Sequence, residues 1–327
     1  MCDPSGFPKS GRESVGVARQ WCGRLGKVDN CQVAIYLGYV SRKGHTLVDL
    51  RLSLPKEWTQ EKARLDKAGV PTARRGYRTR HQLALEMLAT HGAALPHGWI
   101  AGDDEMGRPY WFRRRLAALG ERYLLAVPSN TLCRDLESPL PPASGLGRRP
   151  QRPWRSVAVW SQSLDEEAWQ RVDVRDGSKG PLVVEVVKRR VVSRTHRRQQ
   201  GDEELLVVIR SRDRDNQQVV KVDYYLSNAA PETPQWALAR VATAAHRIEE
   251  CLQRSKSEAG LADYEGRNWT GWQQHQTLSL LATWFLERET HRGKKMDACN
   301  DVPADPSRHC DNLVRDVSVR HAVPYVG

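Results

Sequence analysis

The chain has 327 residues, 39% of them hydrophobic and 28% charged, enough apolar material for one large domain or two ordinary ones. No run of about 18 apolar residues occurs, which excludes a transmembrane helix, and the opening Met1-Cys2-Asp3-Pro4-Ser5-Gly6 lacks the apolar stretch of a signal peptide. Fifty-one Lys and Arg stand against 39 Asp and Glu, a net charge of +12; this suits a polyanionic partner, because each neutralised phosphate releases counterions, although an ordinary basic protein carries the same balance.

In chain order, Gly6-Phe7-Pro8-Lys9-Ser10-Gly11 has the composition of a loop, so a strand carrying Asp3 is expected to be very short or to lack its N-terminal half. Asn30 to Tyr39 and His45 to Leu54 alternate as strands, joined by a hairpin turn at Ser41-Arg42-Lys43-Gly44. Arg80 to His91 is an amphipathic helix. Trp99 to Gly102 is a short apolar strand that runs into Asp103-Asp104-Glu105. A basic helix from Gly107 to Leu119 follows, ended by Gly120, and Tyr123 to Val127 is a buried strand stopped at Pro128. Strand, strand, helix, strand, helix, strand is an α/β pattern with a mixed sheet.

Ser138 to Pro153, rich in Pro, Gly and Arg, has the composition of a linker or exposed loop. Beyond it Leu182–Val187, Lys188–Ser193, Leu205–Ile209 and Val219–Leu226 are β-rich and predict an antiparallel insertion. Thr233-Pro234 precedes a helix from about Gln235 to Ser255, and a second helix runs from Trp272 to Glu289 with Leu278, Leu281, Phe285 and Leu286 on one side. After Gly293 apolar periodicity ends and a poorly ordered tail is expected. The expected division is 1–137 and 231–293 as two parts of one catalytic domain, 138–230 as linker and β-rich insertion, and 294–327 as tail.

Seven scattered cysteines without a CxxC pair argue against a zinc ribbon or a disulfide framework and fit a reducing cytoplasm. Asp103-Asp104-Glu105 lies at the C-terminal end of a strand, the edge where ligands commonly bind in open α/β sheets. Carboxylates there suit Mg²⁺, a hard ion that prefers oxygen ligands; the same residues would serve as a solvated loop with an N-cap for the next helix. On the later helix Lys256 lies two turns beyond Glu249 and on its face, which suits a metal carboxylate with a phosphate-binding amine or a plain solvated face. Tyr264 to His275 interleaves aromatics with Arg, Gln and His, as in base-stacking surfaces and equally in half-buried packing.

Together, Asp3-Pro4-Ser5-Gly6-Phe7-Pro8-Lys9, Ser14 to Gly23, Gly26 to Gln32, Ala101 to Glu105, Tyr123 to Pro128, Tyr224 to Asn228, Ile248 to Cys251 and Gly260 to Tyr264 resemble the insertion-sequence DDE transposases, over roughly residues 3 to 293. The resemblance implies a ribonuclease-H-like mixed sheet flanked by helices and interrupted by an antiparallel β-rich insertion. In that family the first Asp opens D-x-[ST]-G, here Asp3; the second stands four before a Gly, here Asp103 ahead of Gly107; the Glu precedes a Lys by seven, here Glu249 and Lys256. Where the family has a Tyr and an Arg ahead of the Glu, this chain has Ala242 and Ala245. The helical DNA-binding region that precedes the first Asp in the family has no counterpart in this sequence, and the likeness stops after about Gly293. The expectation is a chain truncated at its N-terminus, with Asp3 loosely anchored.

The implied activity is metal-dependent strand cleavage at element ends and strand transfer into target DNA. Asp3, Asp103 and Glu249 would hold two Mg²⁺ ions, which Mn²⁺ replaces, roughly 4 Å apart, with Asp3 bridging. Lys256 and Arg247 would hold phosphate, and Arg108, Arg113 and Arg114 the DNA backbone. The implied partner is double-stranded DNA, bound by a homodimer at the bacterial nucleoid in the cytoplasm, with no membrane. An inactive DNA-binding remnant and a nuclease that cuts without joining remain the alternatives.

Overall fold

The computed structural model describes residues 1–142, 150–175, 182–195, 199–213 and 215–300, with side chains described through 293. The chain opens with β1 (Cys2–Pro8), β2 (Ala18–Cys22), β3 (Lys27–Ser41) and β4 (Gly44–Leu52). Short helices α1 (Lys56–Gln60) and α2 (Lys62–Lys67) lead to α3 (Arg80–His91), then β5 (Ile100–Gly102), α4 (Asp104–Gly107), α5 (Tyr110–Ala118) and β6 (Tyr123–Ala126). After β7 (Leu132–Asp135), β8 (Arg155–Ser156) and α6 (Val157–Gln162) come β9 (Gln170–Arg175), β10 (Leu182–Arg194), β11 (Gln200–Arg212) and β12 (Val219–Ser227). Two long helices follow, α7 (Gln235–Glu258) and α8 (Trp269–Asn300).

The strands form one 12-stranded sheet in the order β2-β3-β1-β5-β6-β12-β11-β10-β7-β8, with β4 on β3 and β9 on β10. β1 runs antiparallel to β3 and parallel to β5, which is parallel to β6. The mixed ribonuclease-H-like sheet expected from the sequence is therefore present. β3 is buried without interruption from Cys31 to Gly38, because helices cover both of its faces. Ala34 and Tyr36 pack with Ile248 and Cys251 of α7 and Trp272 of α8. Ile35 and Leu37 pack instead with Met87 and Leu88 of α3 and Phe112 and Leu116 of α5.

Helix boundaries follow local chemistry. Thr79 caps α3 in a reciprocal capping box with Gln82. Gly120, at φ +77°, adopts the left-handed conformation that ends α5. The basic helix expected from Gly107 to Leu119 is α5, which begins three residues later at Tyr110, because Gly107 ends α4 and Pro109 takes the N-cap position of α5.

The β-rich insertion is antiparallel, as expected, and it extends the main sheet: β12 pairs edge to edge with β6. Residues Met1–Phe285 form one compact unit, and the described residues from Leu286 onward belong to a second. α7 spans both halves of the first unit. Its Leu238, Ala239 and Ala242 pack on Val186, Val207 and Tyr225 of the insertion, and its Ile248, Cys251 and Leu252 pack over β3 and β4.

One expectation inverts on α8. Leu278, Leu281 and Phe285 face solvent, at 66%, 49% and 62% exposure, while Trp272, Gln276, Ser279 and Thr283 are buried. Polar groups satisfied by Tyr36, Leu261 and Ser255 fill that inner face, so apolarity alone picks the wrong side. Residues 143–149 of the predicted linker and 301–327 of the expected tail lie outside the described residues, whereas 294–300, expected to be poorly ordered, continue α8.

Candidate active site

Asp3 sits within β1 and not in a loop. It is opposite Tyr36 of β3, and directly opposed residues of an antiparallel pair share a face; Asp3 therefore faces α7. Met1 exchanges both backbone hydrogen bonds with Gly38, at 2.6 and 2.7 Å, and Cys2 is in register with Gly102 of β5. The expected loose anchorage is thus corrected: pairing on both edges fixes Asp3. Gly6, Phe7 and Pro8, which resemble a loop in sequence, extend this strand. A Cβ on Gly6 would meet Cys22 Sγ at 3.0 Å, Phe7 is core, and Pro8 is the strand's last residue.

Asp103 is the residue after β5, so the Cys2–Gly102 register places it on the strand next to Asp3. Its carboxylate caps α4 by accepting from Met106 N at 3.0 Å. Gly107, the last residue of that helical turn, leaves no room for a side chain, since a Cβ there would lie 1.9 Å from Ala126 O on β6. Close packing of α4 on β6 therefore accounts for the Asp103–Gly107 spacing.

Burial, then the charge of Glu249, pushes the Asp3 carboxyl from 3.8 to about 7, with Lys256 and the N-terminus partly offsetting the rise. Burial, then Asp3, pushes Asp103 to about 8. Two crowded, half-buried carboxylates are an oxygen-only donor pair short of positive charge, which fits a hard divalent cation.

Glu249 is held low by a hydrogen bond from His246, with Nδ1 and Oε2 3.3 Å apart, and by Lys221. Its side chain is 53% exposed. Among the described residues no three His, Cys, Asp or Glu side chains are grouped so as to hold a metal ion. Glu249 is thus on the Asp3 side of the sheet with its carboxylate engaged by His246. Burial lowers the Lys256 ammonium and the Asp3 carboxylate raises it; the group also lies 5.6 Å over the Phe7 ring.

The predicted phosphate contacts divide. Arg108 and Arg114 are exposed, with Arg108 reaching Asp104 at 3.3 Å, and Arg247 is half-buried on α7. Arg113 must be withdrawn as a DNA contact. It is 3% exposed and bonds both Glu204 oxygens, at 2.7 and 3.0 Å, together with Ser193. Tyr264 and Trp272, candidates for base stacking, are core residues at 8% and 1% exposure.

A cleft of about 590 Å³ reaches Asp103 but not Asp3, and Trp21, Arg80, His81, Glu105 and Arg108 line it with Pro4, Gly6 and Val33 from the sheet face opposite Asp3. Sequence reasoning missed Trp21, Arg80 and His81. Arg80 reaches both Glu105 oxygens at 2.7 Å, and His81 Nε2 lies 2.9 Å from the Glu105 carbonyl. The available signal was Arg80 in the first turn of α3, where a cation opposes the helix dipole unless an acidic partner is near.

Asp3 on β1 and Asp103 just past β5, the latter lining a cleft with basic and aromatic walls, make a candidate nuclease-type site on a ribonuclease-H-like sheet. Residues 1–181 match the family model of the DDE superfamily endonucleases, and the chain belongs to that family. The matched span contains Asp3 and Asp103 and stops before α7. No curated protein matches the chain. Endonucleases of this family generally use divalent metals and have DNA as substrate. Among the described residues no helix is long and apolar enough to cross a membrane.

Proposed function

We propose that this chain is the catalytic core of a bacterial insertion-sequence transposase, cutting DNA strands at element ends and passing the freed 3′ end to target DNA. The observation that carries the reading is the placement of Asp3 beside Asp103 under the α7 segment that holds Glu249 and Lys256. Mg²⁺ is the preferred ion, with Mn²⁺ able to replace it, and two ions together would supply an activated water and a stabilised 3′ leaving oxygen.

Asp3 and Asp103 would hold these ions. At neutral pH the two carboxyls retain proton density, so loading the site displaces protons from them. Glu249 completes the set once its carboxylate turns from His246. Lys256, whose ammonium already senses Asp3, neutralises the scissile phosphate. Arg247, Arg108 and Arg114 hold the DNA backbone without reading sequence, and Trp21, 52% exposed in the cleft, offers a face for an unpaired base. Water adds to phosphorus as the 3′ oxygen leaves with a proton; in the joining step the freed 3′ hydroxyl takes the place of water. Such a reaction works on a homodimer at paired ends, in the cytoplasm at the nucleoid.

The test is Mg²⁺- or Mn²⁺-dependent nicking of a supercoiled plasmid by the purified chain and by Asp3→Asn, Asp103→Asn and Glu249→Gln. The expected result is nicking by the parent alone. Equal nicking by parent and Glu249→Gln removes Glu249 from the site. A parent that binds DNA but never cuts is a non-catalytic remnant, and cutting without joining identifies a simple nuclease.

A further inference from the structure

β9 pairs with β10 from Gln170 to Arg175, and among the described residues no strand pairs with its other edge. A free edge presents a row of backbone N–H and C=O groups, which is a template for a further strand. Val172 and Val174 are buried, at 5% exposure each, in one core cluster with Leu238, Ala239 and Ala242 of α7. Arg171 and Asp173 are exposed and lie on the other face of the strand. Neither is matched by β10. Glu185, opposite Arg171, is held by Arg210 and Arg212, and Asp173 stands opposite Val183.

The charge order along this edge specifies its occupant. Arg171 and Asp173 flank Val172 with opposite signs, so the edge is complementary to itself. An antiparallel second copy of β9, related by a two-fold axis at Val172, sets Arg171 against the partner's Asp173 and Asp173 against the partner's Arg171. Opposite charges placed directly across a strand pair stabilise it, and like charges weaken it. Centring the axis on Arg171 or on Asp173 instead opposes like charges. A slip by one residue sets each charge against a residue of the apolar face. The register is therefore fixed by charge, and the same pattern favours a second copy over an unrelated strand. The pairing uses the same edge in both copies, so it closes as a dimer and does not propagate. A contact this short lies at the small end of specific interfaces, so micromolar association is expected.

We propose that β9 is a dimerisation edge, at which two copies of the chain pair antiparallel across Val172 with Arg171 of each opposite Asp173 of the other. The two sheets then become one. The same strand seats the first turns of α7, so the contact joins the copies beside the helix that carries Glu249. This supplies an interface for the homodimer proposed above, but it rests on the strand edge and not on the nuclease reading. Its test involves neither DNA nor cleavage.

The test follows the size of the full chain by sedimentation velocity at low salt over a wide range of concentration. The samples are the parent, Arg171→Asp, Asp173→Arg, both changes in one chain, and an equimolar mixture of the two single variants. The parent should dimerise, and each single variant should associate at least about tenfold more weakly, because both charge pairs then oppose like signs. Dimers should return in the double variant and in the mixture, where every Asp again faces an Arg. Return in the mixture also shows that the single variants are folded. A second measurement needs no variant: amide exchange in a parent peptide covering Gln170–Val174 should slow as concentration rises. A parent that stays monomeric at every concentration overturns the proposal and leaves the edge to a different chain. So does a dimer that the single reversals leave intact, or one that forms without slower exchange at Gln170–Val174. Folded single variants that fail to recover on mixing overturn it too.

Discussion

Asp3→Asn removes a charge that both burial and Glu249 oppose, so it should stabilise the metal-free chain while abolishing cleavage. A carboxyl raised from 3.8 to about 7 corresponds to a ceiling of roughly 4 kcal/mol at about 1.36 kcal/mol per pH unit. Solvent reaches the half-buried side chain and takes back part of this, leaving about 1–3 kcal/mol. The sign follows from linkage. Between 3.8 and about 7 the folded chain keeps a proton on Asp3 that the unfolded chain has released, so the stability of the metal-free parent falls as pH rises through that window. Asp103 extends the fall to about 8. Asn at position 3 has no proton to lose and also relieves Asp103, whose second cause of elevation is Asp3. Thermal unfolding in EDTA should show the variant and parent nearly equal near pH 4, and the variant ahead by several degrees at pH 8.5, at about 2–4 °C per kcal/mol. Mg²⁺ should then raise the parent's Tm at pH 8.5 and leave the variant's unchanged. A variant no more stable than the parent at pH 8.5, or one with the same advantage at both pH values, refutes the reasoning.

Other substitutions separate structural from DNA-contact roles. Arg113→Ala leaves Glu204 buried without its partner and should cost about 3–5 kcal/mol, seen as a lower denaturation midpoint. Arg114→Ala should leave stability unchanged and reduce the salt slope of DNA binding by about one. Gly107→Ala forces α4 away from β6, because the new Cβ meets the Ala126 carbonyl; nicking should fall at least tenfold with Asp103 intact. Lys256→Ala should weaken nicking, with partial recovery in Lys256→Arg, and equal losses in the two would point to packing against Phe7 instead of charge. Isothermal titration should show apparent Mg²⁺ affinity rising with pH through about 7 to 8, with protons released, since the ion binds only the ionised carboxylates.

Much of the first half was legible from pattern. β3 and β4 are placed by alternation and their turn, α3 by its amphipathic spacing, and β5 by four apolar residues before an acidic cluster. β1 was not legible, because Gly6 and Pro8 are loop formers in isolation; pairing with β3 and the close Gly6–Cys22 contact override that preference. The role of Arg113 was hidden for a different reason. A basic residue on a basic helix resembles its neighbours until β11 brings Glu204 to it across 91 positions of sequence. On α8 the rule that apolar residues face inward failed because hydrogen-bonded Gln276 and Thr283 share the inner face with Trp272 and Leu280.

The candidate site can be proposed residue by residue from the sequence but not as an assembly. Motif spacing picks out Asp3, Asp103 and Glu249, yet only topology shows that the first two are neighbours through a single parallel pair. The third depends on a part of the chain that sequence reasoning treats as an interruption. The first turns of α7 rest on the insertion through Leu238, Ala239 and Ala242, whereas Ile248 locks the next stretch to β3, where a Cβ on Gly38 would overlap it at 2.6 Å. Because α7 is one continuous helix, these two anchors together set the height and rotation of Glu249 above Asp3. The insertion also supplies Lys221, which stands 3.3 Å from the His246 that holds Glu249. It therefore acts on Glu249 twice, through the seat of the helix and through the Lys221 charge, which with His246 favours the Glu249 carboxylate.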